Sequence, residues 1–344
     1  MKHKNKFTMY LGLIITVLYF FIMFIHATMP KSNINKYLST QPLLAHFYAF
    51  PLLIGSTAAL ISILIRVIIL YKNGVENYRK NTIAILQCFI ILLAGLLSVF
   101  TCDLKKNSIE FNNEKTFKIV EWNAFNSLDE ETASLIFKEY DADIAVFPEL
   151  GGYNKGEPVE VRIKDIFINI NLEVDDYQIF SSKEVEGNIA PVTIITKKGS
   201  TTYSYNEQDP ITFFGTVYLN SNDKLPGIIG VHTAPPLPGL MNIWKRDLNC
   251  IAADITVNHP DSIIVGDFNA TLRHGDLNNI DTHEDALIYL PRFERGTWKT
   301  DLPVSFRTAI DHILLPKEKY RVKNIEVIDL PGSDHAAIFT EIIL

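Results

Sequence analysis

Three long apolar runs occupy the first hundred residues, at about Phe7 to Ala27, Phe47 to Tyr71 and Thr82 to Thr101. Each is roughly the 20 residues a helix needs to cross the hydrocarbon core of a bilayer, so the pattern predicts three transmembrane helices. The first run follows a basic start, MKHKNK, as a secretory signal would. Its apolar core exceeds the roughly 7 to 15 residues of a signal, and two more runs follow, so a retained anchor is expected. Buried helices of a soluble domain would need a large apolar partner that this composition does not supply. After Thr101 the pattern changes. Residues 103–116 (DLKKNSIEFNNEKT) are polar and aperiodic, as in a linker. Beyond them come KIVEW, IAVF, APVTIITKK, ITFFGTVYL, GIIGVHT, DSIIVG, AIDHILL, NIEVIDL and AAIFTEIIL. These runs are short, β-branched or aromatic, and bounded by turn residues, which predicts strands. Helical spacing appears over Leu128 to Tyr140 and Asn242 to Asn258. Many strands with few helices suit two mixed sheets packed together with helices outside, an α/β fold. The expected organisation is an anchor over 1–104, a linker over 105–117 and a folded domain over 118–344.

Charge sharpens this division. Residues 1–104 hold 9 of the 32 Lys and Arg but 2 of the 39 Asp and Glu, leaving the remainder with 23 basic against 37 acidic residues. About 240 residues can bury a full core. Their net charge of −14 gives nonspecific binding of polyanions no electrostatic help. Lys2, Lys4, Lys6, Lys72, Arg79 and Lys80 flank the first run and follow the second, whereas Lys31 and Lys36 lie between them. The positive-inside rule then makes the N-terminus cytoplasmic and residues 102–344 extracytoplasmic, in a multi-pass protein of the cell membrane. Arg66 is the deep cation, expected to snorkel, and no intramembrane acid marks a transport path. Cys88, Cys102 and Cys250 fit no zinc spacing; a Cys102–Cys250 disulfide and unpaired thiols both remain open.

The chemistry gathers where strands run into polar turns. IAVFPE ends in Glu149, an acid suited to a hard cation such as Mg²⁺ or to capping a turn. IVEWN ends in Asn123, whose amide can orient a carboxylate or simply form a turn. In IIVGDFN, Gly266 permits a tight turn, and Asp267 and Asn269 lie two apart, able to face one side and hold a water and a phosphate oxygen. An Asx-turn is the structural alternative. GSDH supplies Asp334 and His335, and AIDHILL supplies Asp311 and His312, whose side chains face opposite ways in a strand. A carboxylate paired with His335 would fix its tautomer and raise its pKa. His232 in VHTAPP sits at another strand end. Trp298 either borders a cleft or is a buried aromatic, and Arg292, Arg295 and Lys299 either bind phosphate or form a solvated loop.

Taken together, GDFN and SDH in this order with an upstream Glu resemble the endonuclease/exonuclease/phosphatase superfamily over about Lys118 to Leu344. The resemblance, to a membrane-anchored bacterial type, implies a DNase I-like four-layer sandwich of two mixed β-sheets flanked by helices. It implies metal-dependent phosphoric-ester hydrolysis by a water nucleophile, with Mg²⁺ as the ion and Mn²⁺ as the alternative. By motif, Glu149 is the main metal ligand with Asn123, and Asp334 sits beside the metal. Asp267 orients or deprotonates the water, Asn269 binds phosphate, Asp311 pairs with His335, and His232 acts at the phosphate or leaving group. Two positions depart from the family pattern: Pro148 stands where many members have Gln, and Phe125 where some nucleases have Asp. The implied substrate is a phosphomonoester or phosphodiester in a lipid headgroup, an envelope phosphate or nucleic acid, and no protein partner is inferred. The rival reading is an anchored, non-catalytic binding domain that keeps the fold, though such a module would not need Asp267, Asp311, Asp334 and His335 together.

Overall fold

The computed structural model describes residues 2–73, 78–100, 115–183, 189–199, 202–206, 211–222 and 225–344. The chain divides into two units, Met1–Asp103 and Leu104–Leu344. Most of the expected linker, and Cys102, lie outside the described residues, as do the side chains of Lys2, Lys4, Lys6, Arg66, Lys72, Arg79 and Lys80. Cys88 and Cys250 are buried free thiols.

The first unit is helical: α1 (Lys2–Thr28), α2 (Asn33–Ser39), α3 (Pro42–Ala49), α4 (Pro51–Asn73) and α5 (Tyr78–Phe100). Met23, Tyr48 and Ala94 are buried together where α1, α3 and α5 meet. Helices cover all three apolar runs, but the expectation of three membrane-crossing helices is not met as stated. Among the described residues no single helix is long and apolar enough to cross a membrane. The described apolar stretches Ile14–Thr28 and Ile85–Leu96 are short, and the pair Pro42–Ala49 with Pro51–Ile61 reaches the needed length only across a 98° bend. Pro51 opens α4 after Phe50 leaves helical geometry, which is where that bend falls.

In the second unit, strands β1 (Thr116–Glu121), β2 (Ile144–Phe147), β3 (Tyr177–Ser181) and β4 (Thr193–Lys197) are interleaved with helices α6 (Glu130–Ser134) and α7 (Val159–Asn169). Then come β5 (Tyr203–Tyr205), β6 (Thr216–Ser221), β7 (Ile228–His232), helix α8 (Met241–Asn249) and β8 (Ile263–Asp267). The chain closes with β9 (His283–Asp285), β10 (Asp311–Pro316), β11 (Arg321–Asp329) and β12 (Ala336–Ile343). They form two six-stranded sheets, ordered β11-β12-β1-β2-β4-β3 and β5-β6-β7-β8-β10-β9. In each sheet one central pair is parallel, β1 with β2 and β7 with β8, and the other neighbours are antiparallel.

Strand alternation explains how the sheets pack. Ile119, Val146 and Ile194 of one sheet meet Val217, Val265 and Ile313 of the other in a shared core. The next residues along, Val120, Ala145 and Ile195, face the opposite way, against Ile136 and Phe137 of the turns following α6 and Ile163 and Phe167 of α7. Two differences from the sequence reading have local causes. The ITFF half of ITFFGTVYL is a turn, because Thr212 Oγ1 binds the Gly215 carbonyl and pulls the chain out of extended geometry before β6 begins at Thr216. Helix α7 is concealed in sequence because Val159, Val161 and Ile163 alternate like a strand. Its buried residues, Val159, Ile163, Ile166 and Phe167, show the helical spacing.

Candidate active site

The parallel pairs decide where the polar strand ends go. β1, β2, β7 and β8 all finish at the edge where the antiparallel β10 and β12 begin. Registry sets His232 beside Asp267 and Asp267 beside Asp311 across three adjacent strands. Gly266 makes that registry achievable: a Cβ there would lie 2.0 Å from the Val231 carbonyl oxygen, and its φ is +144°.

All eight residues expected from the sequence meet in one network. The Asn123 amide donates to Asp267 Oδ2 at 3.0 Å and to Glu149 Oε1 at 3.3 Å, joining the two sheets. The Asn269 backbone N–H donates to Asp267 Oδ1 at 2.7 Å, so the Asx-turn is present; the Asn269 amide also donates to Asp267 Oδ2 at 3.3 Å. Turn and site are one structure here. His335 Nδ1 lies 2.9 and 3.0 Å from the two oxygens of Asp311. Its Nε2 therefore faces inward, 4.0 Å from both Asp267 Oδ2 and Asp334 Oδ1. His232 Nε2 lies 3.5 Å from Asp267 Oδ2 and 3.7 Å from Glu149 Oε1. Asp334 is held by the Trp298 indole N–H at 3.0 Å. Trp298 thus touches the site, whereas Arg295 is turned inward onto the carbonyls of Ile288 and Leu290, and Lys299 approaches Asp301 at 3.4 Å.

The backbone around Glu149 and Asn269 is left-handed, with φ of +57° and +44°. Such geometry persists only where surroundings over-determine it. At Glu149 the Ala124 N–H binds the Pro148 carbonyl and the Asn126 N–H binds the Glu149 carbonyl, zipping the turns after β1 and β2 together. Pro148 supplies no side-chain hydrogen bond, but its carbonyl serves this zipper.

Burial and crowding of like charges govern the protonation equilibria. Burial, then Asp311, pushes Asp267 up to about 7. Burial pulls His335 down, but Asp311 and then Asp267 outweigh it and carry the imidazole up to about 9. His232 goes the other way, to about 3, because burial and the His335 charge disfavour its cation. Its contacts to Asp267 and Glu149 are accordingly those of a neutral ring, not ion pairs. Burial raises Glu149 as well, opposed by the Asn123 hydrogen bond.

One further acid belongs here. Glu121 shares its strand face with Asn123, is fully buried, and neither carboxyl oxygen has a hydrogen-bond partner. Burial, with Asp311 and Asp267 nearby, holds its pKa well above the carboxylate range. The signal in the sequence was parity: Ile119, Glu121 and Asn123 point one way.

Asp267, Asp311 and His335 offer ligand atoms within 4.8 Å of one another, a cluster able to hold a divalent metal ion. Acids crowded out of water, with raised pKa values and an unpartnered carboxyl beneath them, are the environment a cation relieves.

A two-sheet α/β sandwich with acids, amides and histidines converging at one edge defines a metal-dependent phosphoric-ester hydrolase. Residues 121–335 match the Endonuclease/Exonuclease/phosphatase family, and the chain belongs to it. Among solved structures, an endonuclease/exonuclease/phosphatase from Beutenbergia cavernae is 14% identical, with a TM-score of 0.48 over 67% of this chain and 72% of that one. A family protein from Bacteroides thetaiotaomicron is 13% identical, with a TM-score of 0.45 over 68% and 99%. The 3′ phosphatase NExo from Neisseria, bound to a product DNA hairpin, is 16% identical, with a TM-score of 0.45 over 65% and 98%. No curated protein matches the chain at significant similarity.

Proposed function

We propose that the protein is a membrane-anchored phosphoesterase that hydrolyses a phosphomonoester or phosphodiester with water as nucleophile. The observation that carries this reading is the continuous network from Asn123 through Asp267 to Asn269, beside the Asp311–His335 pair. Asp267 accepts the proton of a water that attacks phosphorus. The His335 imidazolium holds an equatorial oxygen as negative charge builds on it, and Asn269 holds a second by turning to it the amide hydrogen of its 3.3 Å contact with Asp267 Oδ2. Asp311 keeps the His335 Nε2–H pointed at the substrate. The neutral His232 donates from Nε2 to the phosphate or leaving oxygen. A divalent ion, Mg²⁺ with Mn²⁺ as the alternative, would be held by Glu149 with Asn123 and Asp334 beside it, and supplies Lewis-acid polarisation of the phosphoryl group. Asp311 is assigned to His335 and not to the ion because both its oxygens already lie within hydrogen-bond reach of Nδ1.

Membrane anchoring draws support from outward-facing apolar side chains on the helical unit: Ile14, Leu18, Phe21, Leu64, Ile85 and Phe89 are all exposed. The lysine distribution supports an extracytoplasmic catalytic unit. Lipid headgroups, envelope phosphates and extracellular nucleic acid are the esters such a site would meet. The test is hydrolysis by the full chain of a phospholipid mixture, plasmid DNA, RNA and a generic phosphodiester, with Mg²⁺, Mn²⁺ or EDTA. Metal-dependent cleavage of one class, lost in Asp267→Ala, is the expected result; turnover unaffected by EDTA or by that substitution would refute the reading.

A further inference from the structure

Three consecutive carbonyls follow Asp267, and each accepts a hydrogen bond from a buried side chain of a different element. The Phe268 carbonyl takes Thr233 Oγ1 at 2.6 Å, from the turn after β7. The Asn269 carbonyl takes Trp244 Nε1 at 3.1 Å, from α8. The Ala270 carbonyl takes His312 Nε2 at 2.9 Å, from β10. Thr233, Trp244 and His312 are essentially inaccessible to water. None belongs to the network proposed above for the chemistry.

His312 is itself fixed. Its Nδ1 lies 2.8 Å from Asp285 Oδ2, and the Leu287 N–H holds Asp285 Oδ1 at 3.1 Å. A carbonyl and a carboxylate only accept, so both ring nitrogens donate and the ring is an imidazolium. It forms a second Asp–His pair on the opposite face of β10 from Asp311 and His335. Charged donors give the stronger hydrogen bonds, and this one ends on the residue after Asn269.

The purpose of so much clamping is local. Asn269 has a φ of +44°. That conformation carries its amide to both Asp267 Oδ2 and the Thr233 carbonyl, while its backbone N–H closes the turn onto Asp267 Oδ1. We infer that Trp244 and the Asp285–His312 pair are positioning residues that hold Asn269 against Asp267 at the edge of the site, acting on the reaction without touching substrate. The inference rests on the role proposed above for Asn269.

The test is a double-mutant cycle on the full chain, with bis(p-nitrophenyl) phosphate and Mg²⁺. Trp244→Phe keeps an aromatic ring, smaller than the indole, and removes the N–H, and His312→Leu removes both donors. Each lowers kcat roughly ten- to a hundredfold, the scale of a small misplacement of a reacting group, with little change in KM. His312→Gln, which restores a donor near the Nε2 position, recovers most of the loss. In an Asn269→Ala background neither Trp244→Phe nor His312→Leu has a further effect beyond about twofold, because the residue they position is gone. A merely structural role would give equal losses in both backgrounds and no rescue by Gln, and that result overturns the inference. Impaired Asn269→Ala with unimpaired Trp244→Phe and His312→Leu also overturns it. An Asn269→Ala variant as active as the wild type, or a wild type with no turnover, instead counts against the functional reading beneath it.

Discussion

Single residues here carry conflicts that only function explains. Asp267 is fully buried, and burial with the nearby Asp311 pushes it up to about 7, yet the proposed chemistry needs its carboxylate. An isosteric amide resolves the conflict in favour of stability. Asp267→Asn, measured in EDTA so that no cation compensates, should raise the melting temperature by about 2 to 4 °C, the shift that roughly 1 kcal/mol produces in a domain of this size. The same variant should lose at least about a thousandfold in hydrolysis rate, in keeping with the loss of a group acting on the nucleophile. A variant that is less stable and still active would contradict both halves. Asp267, Asn269 and the SDH residues were legible because strand-end acids and amides in that order have few other uses. Glu121 was not, since a lone acid inside a strand pattern does not announce that its neighbours leave it without a hydrogen-bond partner.

At the scale of elements, β8 and β10 show how strand geometry builds the site. Asp311 and His312 are adjacent and point to opposite faces, so one strand serves the Asp311–His335 pair on one side and the clamp on the Ala270 carbonyl on the other. The alternation was readable from AIDHILL and the resemblance supplied Asp311 with His335; that Asp285 takes His312 was not readable, because the two lie 27 residues apart in sequence. The parallel pairing of β7 with β8 depends on Gly266, whose missing Cβ lets the Val231 carbonyl approach. Gly266→Ala combines a clash with backbone with a conformation L-residues rarely adopt, and should cost about 3 kcal/mol or more. Urea denaturation of that variant should show a large fall in midpoint; a midpoint near wild type would mean the strands repack without the close approach. Helix α7 illustrates the opposite failure, a helix whose first three apolar residues alternate like a strand until Ile166 and Phe167 complete the helical face.

Across the whole molecule the buried titrating groups act on stability in opposing directions. His232 falls from 6.5 to about 3 in the folded state, so its contribution is present above 6.5 and is lost as pH falls toward 3. Asp267 rises from 3.8 to about 7, so its contribution is lost as pH rises through the same window. The two offset each other between about pH 4 and 6.5. His335 rises from 6.5 to about 9, so its contribution is intact below 6.5 and is lost as pH climbs through 9. Urea denaturation in EDTA should therefore show a steeper gain in stability from pH 4 to 6.5 in Asp267→Asn than in the wild type, with both declining toward pH 9. Equal slopes below 6.5 would mean that Asp267 does not hold its proton in the folded state. The sequence alone determined the division into an apolar helical part and an acidic mixed-sheet part, the strands, and the polar residues at their ends. Those are local properties, set by hydrophobic period, charge density and turn chemistry within a few residues. The tertiary structure alone decided that Asn123 bridges two sheets, that Asp285 takes His312, and that three carbonyls after Asp267 are clamped. Each of those depends on strand order and registry across long separations, and on which neighbour leaves a buried polar group without a partner, and no local pattern encodes that.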